Sequence, residues 1–505
     1  MNLFTPIDDT VIQRLAFRRQ FVLAPRKLDK FNHWNSKSVA GKWVIHAHPD
    51  LGLTQVRQAT MELTLLGYCI DPDRPDLTDA EICTALLAGV ASVDDLIQKT
   101  YRLAGRWVLV FCNGDDVFAF TDPCNLRMLF YVENSPEGPW CFSQPEAVKD
   151  VLNLTLNREA CEDFFRTSYY LNSVEYWWPG CGTPYEGVKQ LLPNHYLEVR
   201  TSKAIRFWPR SRLETKSLAK AVGEVSELLR GIFAGAARRF PLALPLTSGW
   251  DSRVLLAASE PFSKDIFYYT LQYNSLKQDR LDLEIPPRLL AKLGLPHGLI
   301  ECPAGMAKSF AQIYFGNVSL AHYAHGPIAF GLFLHFPQGH VCLKGTCSEI
   351  ARCFFYKHGQ PEIMDGEMLA IKAAGLTRHT VYAVRHFDRW LKEAQPVSEA
   401  FSYNVLDLFQ WEQKVAHFVA TGEGQCDIVY EMLAPYNCRA LLETLLSVPV
   451  RFRSHPNYVL YGKLIEGLWR EALAEPINPE PLGDKVRTRI ARCKKGAKTF
   501  LKRFK

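Results

Sequence analysis

Between Pro245 and Ala258 the chain runs PLTSGWDSRVLLAA: a short apolar run, a turn of small polar residues, then an apolar helix pattern. Thr247, Ser248 and Ser252 carry hydroxyls, Gly249 frees the backbone, and Asp251 adds a carboxylate. Two chemistries account for such a junction. One is helix capping alone. The other is a phosphate cradle, where backbone N–H groups at a strand-to-helix turn meet an anion and the helix N-terminus adds partial positive charge. A carboxylate repels bare phosphate. Asp251 therefore suits the second chemistry only with a cation such as Mg²⁺ between the two, because Mg²⁺ takes one or two carboxylates together with phosphate oxygens.

A cradle of this kind works where parallel strands end and helices begin. The surrounding segments predict that setting. KSLAKAVGEVSELLRGIFAGAARRF has helical apolar spacing, and PLALPL is a short strand before the turn. DIFYYTLQY, GLIEC and GHVCLKG are further strands, with the helix pattern LDLEIPPRLLAKLGL between the first two and its prolines placed in the first turn. Alternating strands and helices mean a parallel sheet covered by helices. From about Pro361 onward the pattern is almost entirely helical. The first 200 residues differ. RWVLVFC and DVFAFTD flank an NGD turn, RMLFYVE and PWCFS flank NSPEG, and NHYLEVR is another strand, so hairpins in series predict an antiparallel sheet. DAEICTALLAG and SVDDLIQKTYRLAG are capped helices within it. The expected organisation is residues 1–205 as one α+β domain and 206–505 as an α/β domain with a helical C-terminal portion.

Bulk properties bound the function. The 505 residues carry a net charge of +6 and 12% aromatics, which allows large cores and makes no case for DNA binding. Lys485–Lys505 has no acidic residue; a solvated basic helix is the plain reading, and an anionic partner is the sharper one. The 14 cysteines show no C-x-x-C and no zinc spacing, which fits free thiols in a reducing cytosol. His46 and His48 suit one face of a strand, as a satisfied pair and not a metal site. Acidic Asp8 and Asp9 come too early for a signal peptide. The charge-free stretch between Lys308 and Lys344 is broken by His, Asn, Gln and Pro, and predicts buried core, not a membrane span.

LTSGWDS resembles the S-G-G-x-D-S signature of the PP-loop ATP pyrophosphatases and, more narrowly, of the asparagine synthetase family. Further segments resemble that family in order: LDLEIPPRLLAKLGLPHGLIE, VCLKGTCSEIARCFFY, EMLAPYNCRALLETLLSVPV and YGKLIEGLWREALAEPINPEPLGDKVR. LAGRWVLVFCNGDDVFAFTDPCNLRMLFYV and GVKQLLPNHYLEV resemble the family's glutaminase half more loosely. The resemblance covers roughly residues 85–490. It implies an Ntn-like antiparallel sandwich, then an adenine nucleotide α hydrolase-like parallel-sheet domain. It implies ATP bound by Leu246, Thr247, Ser248, Gly249, Asp251, Ser252, Leu271, Lys344 and Gly345. Mg²⁺ would lie on Asp251 and Glu349, and Lys485 would stabilise charge during amide formation. Lys463 is a lesser candidate, with a solvent-facing helical lysine as the alternative. His322, Tyr323 and His325 fall near the expected substrate region and equally suit core or rim.

Departures from the family pattern matter as much. Family glutaminases use an N-terminal Cys as nucleophile; here Met1 is followed by Asn2, and no Cys precedes Cys69. Exposure of Thr5 or Thr10 by processing is the remaining route to a nucleophile. The second nucleotide loop has lost glycines at Thr346–Cys347 and Cys353–Phe354, and gained Arg352, which could meet phosphate or carboxylate. The expectation is a cytoplasmic, AMP-forming carbon–nitrogen ligase that adenylates a small-molecule or peptide carboxylate and transfers it to an amine or ammonia, without glutamine hydrolysis. β-Lactam synthetases and lasso-peptide cyclases show the same pattern with a disabled N-terminal half. The alternatives are a non-catalytic nucleotide-binding or scaffolding homologue and a glutamine-hydrolysing asparagine synthase. A homodimer is left open.

Overall fold

The computed structural model describes residues 11, 14–167, 170, 171, 173–356, 359–373, 375 and 380–479. Its first part is built from β1 (Phe21–Ala24), β2 (Asn35–Val39), β3 (Trp43–Ala47), β4 (Leu53–Gln58), β5 (Met61–Ile70), β6 (Ala104–Asn113), β7 (Asp116–Thr121), β8 (Phe130–Val132), β9 (Cys141–Phe142), β10 (Val188–Gln190), β11 (His195–Glu198) and β12 (Lys203–Arg206). They form two six-stranded sheets, ordered β10-β8-β9-β1-β3-β2 and β12-β11-β7-β6-β5-β4, with antiparallel pairing. β6 shows why the sheets stack. Val108, Val110 and Cys112 on one face join a core with Phe21, Leu23 and Ile45 of the other sheet. Trp107, Leu109 and Phe111 alternate to the opposite face and pack with Ile82 and Leu86 of α1 (Asp79–Leu87). Thr78 and Glu81 close a capping box on α1, and Ser92 and Asp95 close one on α2 (Val93–Lys99). Both hairpins expected from the NGD and NSPEG turns are present. His46 and His48 are buried; each accepts a backbone N–H, from Leu28 and Asp50 respectively.

The second part begins with α3 (Leu218–Arg239) and centres on a parallel sheet ordered β15-β14-β13-β16-β17. Its strands are β13 (Leu242–Pro245), β14 (Ile266–Gln272), β15 (Gly298–Glu301), β16 (Val341–Leu343) and β17 (Glu431–Leu433). The chain steps outward from β13 through β14 to β15, then returns to the other side of β13 for β16 and β17. Strand order therefore reverses between β13 and β16. Two features depart from the sequence expectation. β17 lies in a stretch expected to be helical; at three residues it is too short to show a period. Pro286 and Pro287 lie in the middle of α5 (Arg280–Lys292), which follows α4 (Trp250–Ala258), and not in its first turn. The helix starts earlier because the Asp279 carboxylate caps it, accepting the Leu281 N–H at 2.9 Å. Among the described residues no helix is long and apolar enough to cross a membrane.

Buried charge joins the two parts. Arg106 and Arg127 from the antiparallel part meet Asp427 and Glu431 from the parallel part, with Arg127 Nη2 to Glu431 Oε2 at 2.7 Å and Arg106 Nη2 to Asp427 Oδ2 at 3.0 Å. A second junction lies on a long helical run, α6, comprising Val405–Phe409, a π-helical stretch Gln410–Val419, and Ala420–Cys426. There the fully buried Glu412 accepts from Arg206 Nη2, Asn194 Nδ2 and Trp390 Nε1, each at 2.8 Å. These donors outweigh burial and hold the Glu412 carboxyl below its ordinary range.

Candidate nucleotide site

The turn after β13 and the loop after β16 stand on either side of the strand-order reversal, the position where open α/β sheets bind ligands. They touch. A Cβ on Gly345 would fall 2.9 Å from Asp251 Cβ and 3.3 Å from Ser252 N, so only glycine lets the second loop pass this close to α4. The loop also keeps a glycine-like backbone where glycine is gone: Cys347 has φ +76° and Cys353 φ +55°. Their thiols are buried. Tyr461 Oη donates to Ser348 O at 2.9 Å and Arg453 Nη1 to Ala351 O at 2.9 Å, which pins the loop from behind.

Asp251 and Glu349, 98 positions apart in the chain, sit close enough that the Asp251 charge acts on Glu349. Burial and the Asp251 charge push the Glu349 carboxyl up to about 7, against weaker pulls from Arg352 and Lys414. Asp251 is already engaged. Arg352 Nη1 donates to one of its oxygens and Ser348 Oγ to the other. The guanidinium also lies 5.0 Å from the Tyr458 ring centroid. Arg352 thus does meet a carboxylate. The oxygen-rich donor set suits a hard divalent cation by type. As arranged, however, both Asp251 oxygens are taken by protein donors, so the pair expected to hold Mg²⁺ does not fit it. Among the described residues no cluster of three or more His, Cys, Asp and Glu side chains is placed to hold a metal.

The first turn is closed as well. Ser248 N and Oγ both donate to Asp282 Oδ1, at 2.8 and 2.7 Å, so a carboxylate holds the donors expected for phosphate. Gly249 N donates to Thr247 Oγ1 at 3.1 Å, and Thr247 N to Ser252 Oγ at 3.3 Å. Leu246 is core; its N–H goes to Tyr269 O and its carbonyl accepts from Thr270 Oγ1. The Leu271 carbonyl, on the expected adenine edge, accepts from Gln278 Nε2. The buried Arg253 of α4 donates to the carbonyls of Ala472 and Glu475, tying the C-terminal segment to the turn. Asp282 is the residue that the sequence reading passed over. It lay inside a quoted motif, but nothing local marked its carboxylate as a partner for a turn 34 positions earlier.

Two buried donors without a partner lie on the second loop, and a third follows β17. Arg352 Nε, Thr346 Oγ1 and Tyr436 Oη are buried without a hydrogen-bond partner. Tyr436 is fully buried and feels the charges of Asp251, Arg352 and Glu349. Lys344 turns elsewhere: its ammonium lies 5.5 Å from the Tyr430 ring centroid, and although burial opposes its charge, Glu423 raises its pKa. His322 is core, bonded to Tyr176 O and Gln425, and burial pushes the neighbouring His325 down to about 3. Tyr323 is exposed, and Lys463 is a solvent-facing lysine paired with Glu466. Lys485, Asn2, Thr5, Thr10 and the basic tail lie outside the described residues.

No protein-family model matches the chain, and no curated protein matches it. Three solved structures are similar at low level. A glutamine-dependent NAD⁺ synthetase from Acinetobacter baumannii, in complex with ADP, is 15% identical with a TM-score of 0.20, over 43% of this chain and 40% of that one. The allosteric regulatory enzyme of purine biosynthesis is 12% identical with a TM-score of 0.25, over 54% and 65%. A glutamine phosphoribosylpyrophosphate amidotransferase from B. subtilis, complexed with ADP and GMP, is 8% identical with a TM-score of 0.26, over 62% and 90%. This chain thus spans less than two thirds of the first two. Likeness at this level carries no activity from one protein to another.

Proposed function

We propose that this chain is an ATP-dependent carbon–nitrogen ligase of the asparagine synthetase type, acting without glutamine hydrolysis. One observation carries the proposal. Two loops that share no sequence neighbourhood, Thr247–Asp251 and Gly345–Arg352, meet at the strand-order reversal, with Gly345 packed on Asp251 and Ser348 and Arg352 bonded to it. In the reaction, an oxygen of the substrate carboxylate attacks the α-phosphorus of ATP and the bond to the β-phosphate bridging oxygen breaks. Pyrophosphate leaves and an acyl-adenylate remains. An amine or ammonia then attacks the acyl carbon, loses a proton, and AMP departs. The chain's contribution is orientation of the phosphates and charge stabilisation as they develop negative charge. Lys485 takes the charge-stabilising role at the acyl carbon by family resemblance. The antiparallel part is an Ntn-like scaffold in this reading, with Asn2 at the position of the family's nucleophile.

A specific observation favours a second reading. Asp282 fills the Ser248 donors and Arg352 fills Asp251, so a turn that stays closed would make the chain a non-catalytic scaffold. Exchange of labelled pyrophosphate into ATP, driven by candidate carboxylates, separates the two. The ligase predicts exchange that Asp251→Ala abolishes. Failure to bind any nucleotide, with the fold intact, removes the ligase and leaves the scaffold.

A further inference from the structure

We infer that this chain holds the phosphates of its nucleotide through the Arg352 guanidinium, which stands where a divalent cation would otherwise bridge carboxylate and phosphate. The inference rests on the nucleotide site proposed above and goes beyond it by removing the metal from phosphate binding.

The problem posed by Asp251 is electrostatic: a carboxylate at a phosphate turn needs a cation between itself and the anion. Arg352 is that cation. It donates to Asp251, so the pair is neutral, and Ser348 holds the other carboxylate oxygen. A guanidinium has five N–H donors in a rigid fork and can bridge a carboxylate and a phosphoryl group, as an ammonium cannot do with the same geometry. Here Nη1 is spent on Asp251 while Nε has no partner. The side chain is 22% exposed, although Nε itself is buried. The Tyr458 ring holds the guanidinium in place.

Its neighbours complete an anion seat. Buried donors without acceptors are rare and call for a partner. Thr346 Oγ1, next to the Gly345 that packs on Asp251, and Tyr436 Oη, which feels the Asp251 charge, join Arg352 Nε as such donors. An incoming anion supplies the missing acceptors; a divalent cation supplies none and would have to evict Arg352 first. The seat is thereby moved from the Ser248 turn, whose donors Asp282 holds, to the loop after β16.

The test is binding of ATP and of inorganic pyrophosphate to the full-length protein by titration calorimetry, in EDTA and in excess Mg²⁺. Affinity in EDTA is expected to stay within about threefold of that in Mg²⁺. Arg352→Gln is expected to weaken binding about ten- to hundredfold in both media, the size of a charge-assisted hydrogen bond. Thr346→Val leaves the ion pair intact and is expected to weaken binding about threefold to tenfold. It covers the case in which Arg352→Gln fails to fold. Binding seen only with Mg²⁺, or binding in EDTA that neither variant weakens, overturns the inference and leaves the nucleotide site standing. No binding of either probe in either medium overturns both.

Discussion

Glu412 and Glu349 are both drawn out of bulk water in the second part of the molecule, and they behave in opposite ways. Glu412 meets Arg206, Asn194 and Trp390, and its carboxyl is held below the ordinary range. Burial, and after it the like charge of Asp251, holds the Glu349 carboxyl up at about 7. In the first arrangement the carboxylate is surrounded by strong donors, although Arg206 Nε itself has no partner, and the result is a clamp between the antiparallel and parallel parts. The second is incomplete, with like charges side by side and orphan donors on Arg352, Thr346 and Tyr436. Orphan donors occur at both, so what separates the two carboxylates is the charge they face: opposite charge at the junction, like charge at the site.

The sharpest way to break this contrast is at the junction. Glu412→Gln removes the charge that compensates the half-buried Arg206, and about 3–5 kcal/mol of stability should be lost in denaturant unfolding. A loss below about 1 kcal/mol would place Glu412 among groups that need no partner.

Glu349→Gln should act in the other direction. Its folded pKa of about 7 lies above the ordinary 4.5, so the folded protein binds the proton more tightly than the unfolded chain. Below pH 4.5 both forms are protonated and Glu349 costs nothing; as pH rises to 7 the native chain is progressively penalised. The variant should therefore gain stability across that window and keep a gain of about 2 kcal/mol above pH 7, after allowance for partial exposure. Unfolding curves in EDTA at pH 4.5 and pH 8 give the difference; equal gains at both would refute it.

A smaller and cleaner pair compares two buried tyrosines. Tyr68 Oη donates to Met432 O at 2.6 Å, joining β5 to β17, while Tyr436 Oη has no partner. Tyr68→Phe should cost about 1 kcal/mol, and Tyr436→Phe should leave stability unchanged or raise it by about 1 kcal/mol. Only Tyr436→Phe should weaken ATP binding. If it destabilises the protein as Tyr68→Phe does, its hydroxyl belongs to the structure and not to the seat.

Local signals carried the elements. The NGD and NSPEG turns, the capping Ser92, and the apolar runs of β13 to β16 depend on neighbours within a few positions, and each appears where the sequence places it. The signals weakened where length or context overrode them. β17 is three residues long, and Asp279 starts α5 well before its prolines. At the site, the turn and the two carboxylates were legible as a motif. Their state was not.

By itself the sequence determined that a strand, a polar turn and a helix follow one another at residues 242–258, and that a second loop carries Glu349 and Arg352. Only the tertiary structure decided that Arg352 would close on Asp251, 101 positions away, and Asp282 on Ser248, 34 positions away. For Arg352 the reason is the return of the chain past β13 to lay β16 beside it, and for Asp282 it is the pairing of β14 with β13. Sheet order brings these side chains within hydrogen-bonding distance, and a hydrogen bond depends on distances of a few tenths of an ångström that no spacing along the chain encodes.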